Sequence, residues 1–223
     1  MAQTIWIARH GNRQDFVDLN WHGKAEMPFD PGLSPDGVQQ AQELAQRLTG
    51  EGIRHIFASP FLRTVETAHY VAEALDLPIK LESGFGEWLN LAQIWYVRVK
   101  RFPRFRVVPK IHTIELLQEY FPRIDPSYVS CVMPRYRETG RELESRVSKT
   151  LEYLTADFSE DLLIVSHGAP IRQMTKSLVG SANKVRCSLC CLVKLVHQNG
   201  KWKMELKGDI SHLSSSEKSI RFY

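Results

Sequence analysis

Residues 4–13, TIWIARHGNR, run from an apolar, strand-like segment straight into Arg9, His10, Asn12 and Arg13. A core strand that reaches the surface and ends in solvated charge would read this way. A strand whose end presents a reactive imidazole would read the same, so the rest of the chain has to decide. Two further runs, IRHIFA (53–58) and DLLIVS (161–166), are also short, rich in Ile, Val, Leu and Phe, and followed by helix signals. That is the pattern of buried parallel strands covered on both faces.

Helical stretches interleave with these strands. In LSPDGVQQAQELAQRL (33–48), Ser34 is the expected N-cap and Pro35 the first helical residue. SPFLRTVETAHYVAEAL (59–75) repeats the device, with Ser59 as cap and Pro60 at the first position. ELESRVSKTLEYLTADF (142–158) carries Leu143, Val147, Leu151 and Leu154 at helical spacing, and APIRQMTKSLVG (169–180) ends on Gly180 as a stop signal. CSLCCLVKLV (187–196) and KWKMELK (201–207) flank an Asn199-Gly200 hairpin turn, which predicts an antiparallel edge. The expected fold is α/β: a three-layer α/β/α single domain over 1–223, with a mostly parallel central sheet. Residues 88–140, broken by five prolines, are expected to form a cap-like insertion in it.

The chain has 223 residues, a net charge of +4 and a pI near 8.9. This mild basicity suits anionic substrates but falls short of a dedicated nucleic-acid binder. No apolar run is long enough to span a bilayer and the first residues lack a basic leader, so a soluble cytoplasmic protein is expected, with no membrane partner. If CSLCC lies in a strand, Cys187 and Cys190 are roughly 10 Å apart on opposite faces, too far for a disulfide. Buried free thiols are therefore expected there rather than a zinc site. Between Glu87 and Glu115 stand Arg98, Lys100, Arg101, Arg104, Arg106 and Lys110 with no acid, interleaved with Trp95, Tyr96, Phe102 and Phe105. This stretch reads as a solvated basic face, the mouth of an anion pocket or a strand-binding surface.

Ligands of open α/β sheets bind beyond the carboxyl ends of the strands. The three core strands should then deliver Arg9 and His10, Ser59 and Arg63, and Ser166 and His167 to one rim. Arginine gives forked hydrogen bonds to phosphate oxygens, and nearby cations keep imidazole in its neutral, nucleophilic form. Phosphoryl chemistry is the reaction this set of side chains suits.

ARHGNR, LSPDGVQQAQELAQRL, ASPFLRTVETA, GEW and IVSHG, in this order, resemble the histidine phosphatase superfamily, or phosphoglycerate mutase-like fold, over about residues 4–90 and 140–180. The resemblance implies a metal-independent phosphomonoesterase that forms a phosphohistidine on His10. It implies that Arg9, Arg63 and His167 hold the phosphoryl group, that Arg13 adds a contact, and that Glu87 is the general acid. Glu66 is the rival carboxylate, expected instead to pair with a cation, while Asn12 and Ser34 are weaker candidates.

The mutase alternative is disfavoured because NRQDFVDLNWHGKAE (12–26) replaces the Ser-x-Trp-Asn segment of mutases. RHGNR with GEW further resembles the branch of the suppressor of T-cell receptor signalling and ecdysteroid-phosphate phosphatases. A second alternative is a phosphatase-like scaffold that binds a protein or nucleic acid through the basic aromatic insertion. The expected partner is a small phosphorylated substrate or a phosphoprotein, with nucleic acid ranked below both and a homodimer left open. No cofactor and no metal are expected: the sequence carries no His-Glu-x-x-His, paired Cys-x-x-Cys or Asp-rich loop.

Overall fold

The computed structural model describes residues 3–89, 110–135 and 137–214. Strands β1 (Gln3–Arg9), β2 (His55–Ala58), β3 (Ile79–Leu81), β4 (Leu162–Ser166), β5 (Leu192–Gln198) and β6 (Lys201–Asp209) form one sheet in the order β3-β2-β4-β1-β5-β6. The first four run parallel; β5 pairs antiparallel with β1, and β6 antiparallel with β5. Helices α1 (Pro35–Leu48), α2 (Leu62–Leu75), α3 (Ile114–Tyr120), α4 (Gly140–Asp157) and α5 (Gly168–Val179) are joined by two single-turn helices, Gln14–Val17 and Trp21–Lys24.

The pleat of β1 sorts its side chains between two cores. Trp6 and Ala8 pack with Leu44 and Leu48 of α1 and Val65 and Val71 of α2, whereas Ile5 and Ile7 pack with Leu143, Val147 and Leu151 of α4 and Ile171 and Met174 of α5. Both faces of the central strand are therefore dry, which explains its unbroken apolar run and gives the α/β/α layering predicted from the sequence.

Ser34 caps α1 as expected, its Oγ accepting from Gly37 N–H, with Pro35 inside the first turn. Gly180 ends α5 in the left-handed region, and Asn199 and Gly200 (φ 52° and 75°) make the hairpin. Helix α4 begins earlier than its apolar stripe suggests, because Thr139 and Glu142 form a capping box.

Three local expectations are corrected. Ser59 is not a cap: α2 starts at Leu62, because Ser59 N–H still bonds Val165 O in the sheet ladder and Ser59 Oγ is engaged with His167. Residues 187–191 form a turn ahead of β5, not a strand, and Cys190 lies in the left-handed region. The spacing argument for Cys187 and Cys190 therefore fails, although both are free, buried thiols, as is Cys191; Cys131 is free and exposed. Strand β3, only three residues long, and helix α3 had no distinct signal in the sequence. The basic aromatic residues 95–106 lie outside the described residues, and Lys110 is exposed. Among the described residues no helix is long and apolar enough to cross a membrane.

Candidate active site

The carboxyl ends of β1, β4 and β2 meet at one rim. Arg9 is level with Ser166 in the β1–β4 ladder, and His10 N–H donates to Ser166 O. On the other side, Cys190 N–H donates to His10 O and Arg9 N–H to Cys191 O, so the 187–191 turn holds the strand end in place. Gly11 makes the exit from β1 sterically feasible, since a Cβ there would lie 2.6 Å from Gly37 O at the start of α1. Gly37 reciprocates, because a Cβ on it would lie 2.1 Å from Asn12 O.

At this rim His10 and His167 are fully buried, with ring centroids 5.4 Å apart. His10 Nδ1 lies 2.8 Å from Gly11 O, which can only accept, so Nδ1 carries the proton and Nε2 the lone pair. Nε2 is buried and has no hydrogen-bond partner among the described residues. Burial first, and then the charges of Arg63, Arg9 and Arg13, push the His10 imidazole well below its ordinary pKa. The ring is thus neutral at physiological pH, with its free lone pair facing a cluster of cations.

Arg63 reaches the rim from the first turn of α2. Its NH2 donates to His167 Nδ1 at 3.2 Å, which leaves His167 Nε2–H to donate to Ser59 Oγ at 2.8 Å. Burial lowers the Arg63 guanidinium to about 10, still charged at neutral pH. Among the described residues its Nε has no hydrogen-bond partner and its NH1 has only the Asp30 carboxylate at 3.6 Å; Arg9 Nε is likewise without a partner, while Arg9 NH1 donates to Cys187 O. Two charged guanidinium groups, each with a buried Nε that lacks a hydrogen-bond partner among the described residues, therefore stand beside an imidazole lone pair, an arrangement suited to an anionic ligand.

Glu87 is half-buried, its side chain 18% exposed, with Oε2 3.4 Å from both Arg63 NH2 and His167 Nδ1. Arg13 is less free than expected: its guanidinium forks onto Asp15, although its charge acts on His10, Arg63 and His167. Asn12 and Ser34 both bond Asp36 and fix the entry to α1. Among the described residues Glu66 makes no ion pair with a cation; it accepts from Leu33 N–H, and burial raises its carboxyl to about 7.

Sequence reasoning missed Asp30. Its carboxylate is fully buried, accepts from Leu62 N–H, His112 N–H and His112 Nδ1, and lies 3.6 Å from Arg63 NH1. In PFDPGL (28–33) it reads as an ordinary turn residue, so no local signal marked it. Among the described residues no group of three or more His, Cys, Asp or Glu side chains is arranged to hold a metal ion.

The model of the histidine phosphatase superfamily (branch 1) matches residues 5–92 and 109–210, and the chain belongs to that superfamily. Over 97% of its length the chain is 29% identical to the transcription factor tau 55 kDa subunit of Saccharomyces cerevisiae, and it spans 58% of that relative. It is 28% identical to the probable phosphoglycerate mutase GpmB of Shigella boydii, over 95% of each chain. Among solved structures, the ecdysone phosphate phosphatase of Bombix mori, in complex with tungstate, aligns with a TM-score of 0.68 at 21% identity, covering 99% of this chain and 98% of that one. The last comparison supports the fold.

Proposed function

We propose that this protein hydrolyses phosphomonoesters, without a metal, through a phosphohistidine on His10. The observation that carries this reading is His10 Nε2: buried, neutral and without a hydrogen-bond partner among the described residues, beside the guanidinium groups of Arg9 and Arg63. In the proposed cycle Arg9, Arg63 and His167 bind the phosphoryl oxygens, with Arg13 adding positive charge at the entrance. His10 Nε2 attacks phosphorus as the P–O bond to the alcohol breaks, and Glu87 gives its proton to the departing alkoxide. Glu87, now a carboxylate, takes a proton from water as that water attacks phosphorus; the P–N bond breaks, and inorganic phosphate and free His10 are released. The test is hydrolysis of p-nitrophenyl phosphate with chelator present, by the wild type and His10→Ala. Turnover in the wild type and loss to background in the variant are expected; full activity in His10→Ala would overturn the assignment.

The yeast relative favours a second reading, in which the same fold serves as a subunit of a nucleic-acid-bound assembly. The basic residues Arg101, Arg104 and Arg106 would supply that contact. This reading requires duplex binding that weakens steeply with salt and with replacement of those three arginines. Undetectable binding at low salt removes it. Interconversion of 3- and 2-phosphoglycerate in the same enzyme preparation would instead favour the mutase.

A further inference from the structure

Glu87 makes few strong bonds of its own. Oε1 accepts from the adjacent Trp88 N–H at 3.0 Å, and among the described residues Oε2 has only the two long contacts at 3.4 Å to Arg63 and His167. Its position must therefore come from the backbone on either side.

That backbone is gripped by a buried ion pair far away in sequence. Arg146 of α4, with a side chain 3% exposed, forks onto Glu138: Nε reaches Oε1 and NH2 reaches Oε2, both at 2.7 Å. The remaining terminal nitrogen, NH1, donates to Gly84 O at 2.8 Å and Gly86 O at 3.1 Å, with a longer contact to Ser83 O at 3.4 Å. On the other side of Glu87, the Trp88 ring N–H donates to Glu138 O at 2.9 Å. Ser166 Oγ ties Phe85 O to the end of β4, one residue before His167. The turn also rests directly on α4, where a Cβ on Gly84 would lie 2.0 Å from Thr150 Oγ1.

A buried Arg–Glu pair is a poor source of stability, because desolvation of both charges offsets their attraction. An apolar pair at 138 and 146 would fill the same space but would leave the carbonyls of 84 and 86 without a donor. We propose that Arg146, oriented by Glu138, is a positioning residue that sets Glu87 at the leaving-group side of the site. This rests on the assignment of Glu87 as general acid. The clamp has one consequence for the rate: it matters only for substrates whose leaving group needs a proton.

The test compares kcat/KM, which reports steps up to phosphoryl transfer to His10, on an alkyl phosphate and on p-nitrophenyl phosphate. Arg146→Lys keeps the charge and loses the fork; Trp88→Phe removes the indole N–H, together with part of the ring's packing, while keeping an aromatic side chain, and guards against misfolding of the first variant. Each is expected to lose about 10- to 100-fold on the alkyl ester, with Trp88→Phe at the low end, and about threefold or less on the aryl ester. Equal losses on the two esters, or no loss, in both variants would overturn the proposal. Glu87→Gln serves as the reference. A selective alkyl loss in Glu87→Gln but in neither clamp variant overturns the clamp alone, whereas equal losses in Glu87→Gln remove the acid assignment and the clamp with it.

Discussion

His10 and Glu87 face the same space but are held there by different means. His10 leaves the centre of the sheet, its backbone bonded to β4 on one side and the 187–191 turn on the other. Glu87 follows a 3-10 turn (Ser83–Phe85), and its anchors come from Glu138 and Arg146, more than fifty residues away. A strand end inherits its position from a ladder that the whole core stabilises. A loop residue depends on a few specific bonds, so the proposed reaction would have one partner placed by the fold and one placed by a local device.

Substitutions on the two sides should therefore behave differently. After the loss to background expected of His10→Ala on the sheet side, the largest effect is expected on the loop side: Glu87→Gln should lower alkyl phosphate turnover by about 100- to 10,000-fold and spare kcat/KM for activated aryl esters. A change that reaches the site through Arg63, not through Glu87, should not discriminate between leaving groups. Asp30→Asn removes the buried negative charge beside Arg63 and weakens the acceptor for His112, so kcat/KM should fall about tenfold on alkyl and aryl esters alike. Urea unfolding should show a loss of about 3 kcal/mol for the same variant. A leaving-group-dependent loss in Asp30→Asn would break the comparison.

The smallest effect concerns Glu66, which lies under the same loop as Asp30. In the unfolded chain its carboxyl ionises near the ordinary glutamate value of 4.5, and in the folded chain burial raises this to about 7. Between those values the folded state holds the extra proton. The contribution to stability is full below the unfolded value and is lost as pH rises to about 7. Glu66→Gln keeps an acceptor for Leu33 N–H and should remove about 3 kcal/mol of pH dependence over that window, read by denaturant unfolding at pH 4.5 and 8. An unchanged slope would show that Glu66 titrates normally.

The sheet side was largely legible in the sequence. Short apolar runs ending in Arg9-His10 and Ser166-His167, each leading towards a helix, place those side chains at a common rim by strand direction alone, and Arg63 follows one turn into the next helix. Legibility failed where long-range bonds override local pattern. Ser59-Pro60 has the form of a helix start, yet the sheet retains Ser59 and His167 takes its hydroxyl. CSLCC is apolar without a breaker, yet Cys190 adopts a left-handed turn that lets the 187–191 segment bond Arg9 and His10. Arg146 did leave a trace: it interrupts the buried stripe of α4, three residues after Leu143 and one before Val147. A cation on an apolar face needs a buried partner, but nothing in the sequence says that the partner would be Glu138 or that the carbonyls before Glu87 would share it.

The most direct test of the account is to quench the enzyme with base during turnover of a phosphomonoester and map phosphate by mass spectrometry. Acid-labile phosphate on the peptide containing His10, absent from His10→Ala, is the predicted result. Turnover with no phosphate on His10, or with phosphate on another residue, would contradict it.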